Sequence, residues 1–154
     1  AYPGTVDRLR RVRDEDAEGE VVALAATDPA NPYGWLLPWP PLSGASVTSA
    51  AGAGTSTRGT AGPRRAGGAA VVLVGGVPVL YLDRKARRLR TFADVTEEQL
   101  ERALPALRDI ARYRPRGAIS LERINDESAM SSALLPQLES AGFTRDYRFV
   151  RITA

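Results

Sequence analysis

The chain has 154 residues, 44% of them hydrophobic, with 21 basic and 18 acidic side chains and a formal charge of +3. That length and apolar share suit one domain with a real core, and so small a charge excess excludes a histone-like polycation. Cysteine and histidine are both absent, which excludes disulfides, thiolate and imidazole metal ligands, Ser-His-Asp and Cys-His triads, and the usual general base near neutral pH.

The opening Ala1-Tyr2-Pro3-Gly4 lacks the charged flank and long apolar stretch of a signal peptide. It also begins without methionine, so the chain reads as excised from something longer. Thr5 to Arg13 has the pattern of a short basic helix that needs tertiary support, and Asp14 to Gly19 reads as an acidic loop. Glu20 to Thr27 is expected to be a strand, apolar on both faces and therefore buried. Two proline steps, Asp28-Pro29 and Asn31-Pro32, then stiffen the path to Tyr33 and to both tryptophans, Trp35 and Trp39. Ser43 to Gly68 is rich in Ser, Gly, Ala and Thr without apolar periodicity, the composition of a surface insertion expected to be mobile at least in part.

Ala69 to Val74 predicts a buried strand, Gly75-Gly76 a two-residue hairpin turn, and Val77 to Leu82 the returning strand. Pro78 cannot donate to a ladder, which places it at an edge or a strand start. A second turn over Asp83 to Arg87 leads to a third strand, Arg88 to Phe92, completing an antiparallel meander. Thr96-Glu97-Glu98-Gln99 has the form of a capping box. It opens a helix whose stripe is Leu100, Leu104, Leu107 and Ala111, with a break expected from Pro105 near Glu101 to Leu104. Arg112, Arg114 and Arg116 cluster near its end. Ala118 to Ile124 reads as a strand, Ser132 to Ala141 as a helix stopped by Gly142, and Tyr147 to Ile152 as the closing strand. The fold class is therefore α+β: a small antiparallel β-barrel or curled sheet with two short packed helices.

No run of about 18 apolar residues occurs, so no membrane-spanning helix is expected. All the basic residues except Lys85 are arginines, a bias that suits phosphate binding and equally a GC-rich genome. The best nucleic-acid signal is the turn carrying Arg84, Lys85, Arg87 and Arg88, with Arg90 beyond, which either reaches phosphates or is a solvated turn balanced by Asp83. Arg58, Arg64 and Arg65 in the insertion share that ambiguity. Asp28, at a strand end beside Pro and Asn, is the one catalytic candidate: it either activates a water or closes an Asx-turn on its own backbone. Trp35 and Trp39, with Tyr33, either stack on unpaired bases or pack against the barrel end or a neighbouring domain. Gly54 to Thr60 lacks the Lys-Ser/Thr of a phosphate loop. Glu122, Asp126 and Glu127 form no evident pair, and no metal site is expected.

Ala23-Leu24-Ala25-Ala26-Thr27-Asp28-Pro29-Ala30-Asn31-Pro32-Tyr33-Gly34, followed by Leu37-Pro38-Trp39-Pro40, resembles a segment near the end of the large helicase-related proteins of bacteria, the Lhr family. Pro3 to Arg10 is similar to the stretch that precedes it there. Arg65-Ala66-Gly67 leading into Val71-Val72-Leu73-Val74 and Leu80-Tyr81-Leu82 resembles the hairpin that follows, and Leu138 to Phe143 the last helix and turn. The resemblance implies a C-terminal piece of a superfamily 2 motor that uses ATP and Mg²⁺, moves 3′ to 5′ on single-stranded DNA, unwinds duplexes and RNA–DNA hybrids, and is linked to DNA repair. It places the motor far upstream, so this piece itself needs no cofactor. It further implies winged-helix modules followed by a β-barrel module, an arrangement similar to a class of bacterial alkyl-base DNA glycosylases. Residues 1–19 would then connect from a winged helix, and 20–154 would be the β-barrel module, with an insertion at about 43–68 that is not a family motif. The implied partners are DNA, single-stranded or duplex, the upstream winged helices and a possible second copy, in the cytoplasm near the nucleoid. Two roles follow: a non-catalytic accessory module, or part of a base-excision site in which Asp28 assists loss of a flipped base.

Overall fold

A computed structural model describes residues 19–44 and 62–154. The expected basic helix, the acidic loop up to residue 18 and residues 45–61 of the insertion lie outside the described residues. Among those described, nine strands form two sheets around short helices. The class is α+β, but the sheets do not close on each other, so the expected barrel is corrected to two open sheets.

The larger sheet has the order β1 (Val21–Ala25), β2 (Ala70–Val74), β3 (Val77–Leu82), β4 (Arg88–Thr91), β6 (Arg123–Ile124) and β7 (Glu127–Ser128). Strands β2 (Ala70–Val74) and β3 (Val77–Leu82) are near-continuous apolar runs because both of their faces are covered, and every residue but Val77 is buried. Gly75 and Gly76, at φ +57° and +79°, make the tight turn between them. The register slips between Val72 and Leu73, opposite Pro78, so the residue without an amide hydrogen sits at a bulge. Strand β4 (Arg88–Thr91) completes the antiparallel meander. Among the described residues, strand β1 (Val21–Ala25) pairs only with β2. Its expected burial on both faces is corrected: as an edge strand it is half-buried to exposed along its length.

Helices α1 (Glu97–Ala103) and α2 (Ala106–Arg112) are one amphipathic segment split at Pro105. The capping box forms in both directions, with the Gln99 amide donating to Thr96 Oγ1 at 3.2 Å and the Thr96 amide to Gln99 Oε1 at 3.0 Å. Leu100, Leu104, Leu107 and Ala111 are buried in one cluster with Leu80, Leu82 and Leu89 of the sheet. The opposite face of that sheet is closed by the loop after β1, where Trp39 and Leu42 pack on Ala26, Ala69, Tyr81 and Phe92.

The expected strand Ala118 to Ile124 is two strands in two sheets. Strand β5 (Ala118–Leu121) pairs with β9 (Phe149–Thr153), while β6 (Arg123–Ile124) runs parallel to β4, Arg88 opposite Arg123. Asn125 and Asp126, both at positive φ, turn β6 into β7 (Glu127–Ser128). The helix expected from Ser132 starts later, as α3 (Leu135–Ser140), with Ser132 Oγ accepting the Leu134 amide. The closing strand is also displaced: Tyr147 belongs to a turn between β8 (Thr144–Asp146) and β9. No helix among the described residues is long and apolar enough to cross a membrane.

Candidate nucleic-acid interface

The turn between β3 and β4 is built by one carboxylate. Asp83 Oδ1 accepts the amides of Arg87 (2.8 Å) and Arg88 (3.1 Å), while Ala86 takes the left-handed conformation at φ +56°. Asp83 is thus engaged by the backbone, and Arg84 and Lys85 are held at an exposed tip. The segment before β2 lies directly against this turn. Gly68, at φ +84°, lets it approach so closely that an added Cβ would lie 3.0 Å from the Arg84 carbonyl oxygen. The Tyr81 hydroxyl accepts the Arg64 amide and donates to the Arg64 carbonyl, both at 3.1 Å, fixing Arg64 beside the tip.

The result is an open hollow of about 440 Å³, with Tyr81 in its lining and Arg64, Arg84, Lys85, Arg88 and Arg90 around it. Among the described residues, Asp83 is the one carboxylate in that lining. The five cations expected at this turn do not act alike. Arg87 pairs with Glu122 at 2.5 Å, and Arg90 is buried and pairs with Asp126 at 2.8 Å. Among the described residues, Arg84, Lys85 and Arg88 make no ion pair, and Arg64 joins them from the edge of the insertion. Arg114 braces the turn by donating to the Arg84 carbonyl; burial holds its guanidinium below the ordinary arginine range, and Asp83 opposes that shift.

The loop after β1 uses its polar groups inward. Asp28 Oδ1 accepts the Ala30 amide at 2.8 Å and Asn31 Oδ1 the Tyr33 amide at 3.1 Å, two successive Asx-turns with a proline at the second position of each. Asn31 is fully buried and also donates to the Ala26 carbonyl at 2.9 Å. Arg65 then closes the loop from outside, its guanidinium donating to the carbonyls of Thr27, Asp28, Asn31 and Tyr33 at 2.6–3.4 Å. Trp39 lies between Tyr33 and Phe92, with ring centroids 5.9 and 6.2 Å away, and edge-on to Tyr81. Tyr33 donates its hydroxyl to the Gly76 carbonyl, and burial raises its pKa. Trp35 differs: its indole N–H bonds the Asn31 carbonyl, Arg65 lies 5.8 Å from its ring, and it is 62% exposed beside exposed Leu36 and Leu37.

Asp28 also borders a second concavity of about 380 Å³, formed by β1, Gly68 to Ala70 and the end of α2, where Ile110, Tyr113 and Asp109 face it. Sequence reasoning did not single out Asp109 or Tyr113. Tyr113 lies one residue past α2 and is 89% exposed, and being off the buried stripe it carried no periodic signal in the sequence.

No protein-family model matches the chain. It is 36% identical over 163 residues to the "Lhr helicase/ probable uracil glycosylase" of Mycolicibacterium smegmatis (strain ATCC 700084 / mc(2)155), covering 99% of this chain and 10% of that protein. To the "Lhr helicase/uracil glycosylase" of Escherichia coli (strain K12) it is 31% identical over 143 residues, covering 91% of this chain and 8% of that one. The chain thus corresponds to a module-sized segment of helicase-type proteins, spanning a tenth or less of the curated relatives it matches. Over nearly its whole length it is similar to one segment of these Lhr helicases.

Proposed function

We propose that this chain is an accessory C-terminal module of an ATP-dependent 3′–5′ DNA helicase acting in DNA repair, and that it supports DNA binding through the basic hollow. The motor, with its ATP and Mg²⁺, would lie elsewhere in the parent protein. The observation that carries this reading is the convergence of Arg64, Arg84, Lys85 and Arg88 on one open concavity, braced by Tyr81 and Arg114, where among the described residues Asp83 is the one carboxylate against four exposed or edge cations. Such a site neutralises phosphates and releases their counterions, whatever the base sequence. The exposed patch of Trp35, Leu36 and Leu37, with the Trp35 indole tied to the Asn31 carbonyl, supports the packing half of the role, as a contact for the upstream winged-helix modules. Contiguous exposed apolar side chains of this kind mark surfaces that pack on a partner.

Charge reversal of Arg84, Lys85 and Arg88 tests the reading. Binding to a labelled duplex should weaken, and the slope of log K against log salt should shallow by about 0.9 for each phosphate no longer neutralised. An unchanged slope would return the turn to a solvated surface.

A second reading is favoured by one arrangement, the carboxylates of Asp28 and Asp109 bordering a mainly apolar cleft beside the hollow. The names of both relatives include uracil glycosylase, and such a cleft has the character of a base pocket. Against it, Asp28 already serves the Ala30 amide. Asp28→Asn and Asp109→Asn should leave uracil release unchanged if the module is only accessory. Loss of release with DNA binding intact would replace the first reading with the second.

A further inference from the structure

The hollow does not end at the β3–β4 turn. Arg88, in its lining, stands opposite Arg123 in the parallel register of β4 and β6, and both are exposed. Their strand neighbours Leu89 and Ile124 are both buried in the core on the other face. Like charges placed side by side across a ladder repel, so this pairing weakens the sheet unless an anion lies over it. Arg123 in turn lines a further open hollow of about 620 Å³, together with Tyr147 and Arg148 at the tip of the β8–β9 hairpin. Among the described residues, Glu122 is the one carboxylate in that lining, and it is held by Arg87 at 2.5 Å.

Tyr147 is the unusual residue of this second hollow. It is 85% exposed and sits at φ +45°, where glycine or asparagine would relax the turn and a bulky side chain is strained. The Arg148 guanidinium lies 5.4 Å from its ring centroid, which orients the ring at the hairpin tip. An aromatic kept in a strained, fully presented position contributes nothing to the core.

We infer that a single nucleic-acid strand runs from the first hollow over Arg88 and Arg123 to the β8–β9 hairpin, where an unpaired base stacks on Tyr147. This rests on the proposed DNA-binding role and adds to it a base-stacking site at the β8–β9 hairpin, which acts on an unpaired strand because the flat face of a base is available for stacking only outside a duplex. Arg148 and Arg123 supply phosphate contacts on either side of the ring.

Tyr147→Gly is the decisive variant, because it removes the ring while relaxing the left-handed backbone. The chain carrying it should melt at a higher temperature and bind a fluorescein-labelled oligothymidylate about tenfold more weakly, as expected when one base stack is removed. A duplex of equal length should bind within about twofold of the unsubstituted chain, having no base to offer. Tyr147→Phe and Tyr147→Trp should restore single-strand binding, and Arg123→Glu should weaken it and shallow its salt slope. Unchanged oligothymidylate affinity in Tyr147→Gly, with binding abolished by reversal of Arg84 and Arg88, would overturn this inference and leave the proposed function standing. Equal losses on single strand and duplex would overturn it too, since the ring would then make no stack. If neither the Tyr147 nor the Arg84 and Arg88 variants changed binding, the proposed function would fall and this inference with it.

Discussion

Arg64 and Arg65 are adjacent in sequence, and their guanidinium groups serve opposite regions of the molecule. Arg65 reaches back to the loop after β1 and binds four carbonyl oxygens there, where a cation is worth most as a structural donor. Arg64 is held through its backbone by the Tyr81 hydroxyl and faces the basic hollow. The loop after β1 turns its carbonyls, Asn31, Tyr33 and Trp39 inward and leaves Trp35 exposed, while the β3–β4 turn uses Asp83 internally and leaves Arg84, Lys85 and Arg88 outward. A charged side chain's role is therefore decided by whether unpaired carbonyls lie within reach. Two arginines of identical chemistry separate into a clamp and a group that faces the basic hollow.

The comparison breaks most visibly at Arg65. Arg65→Met keeps the stem and removes the donors, leaving carbonyls of a loop built around buried Asn31 short of partners. A drop of about 2–3 kcal/mol is expected from the urea midpoint, read by the fluorescence of Trp35 and Trp39. DNA affinity of the folded variant should stay near that of the unsubstituted chain. A variant as stable as the original but weak in binding would make Arg65 a ligand residue and erase the contrast.

A smaller effect is expected where the two regions touch. Gly68→Ala adds a Cβ 3.0 Å from the Arg84 carbonyl in a residue at φ +84°. The backbone term alone should cost about 1 kcal/mol, and the close approach should push the turn away from the segment carrying Arg64. Weaker DNA binding together with a modest fall in melting temperature would tie the shape of the hollow to this close approach. Unchanged binding would show that its cations act independently of one another.

Much of this was legible locally. The Gly75-Gly76 hairpin, the Thr96 capping box and the break at Pro105 each depend on neighbours within a few residues, so their patterns survive in sequence. The Asp-Pro and Asn-Pro steps likewise announced turns, and both side chains close Asx-turns in the fold. The rest depends on distant partners. Nothing in Arg123-Ile124 reveals that two residues leave one sheet to run parallel to β4, and the exposed β8 carries no hydrophobic periodicity. The barrel expectation failed for the same reason, since closure is a property of strand order. Arg64 and Arg65 could not be told apart because the carbonyls that capture one of them come from residues more than thirty positions away.

The finest test lies inside the loop, at Tyr33. Burial raises its pKa above the ordinary value of 10.0, and its hydroxyl donates to the Gly76 carbonyl. The fold thus favours the protonated phenol, which is also the form able to make that bond. Its contribution to stability is fully present below the unfolded value and is lost as pH rises through the higher folded one. In an ultraviolet titration of the five tyrosines, Tyr33→Phe should delete a late-ionising component. The same variant should flatten the decline of stability on the alkaline side while leaving DNA affinity at neutral pH untouched. Weaker affinity in Tyr33→Phe would extend the proposed DNA-binding surface from the turn into the loop, and the division between an inward and an outward region would no longer hold.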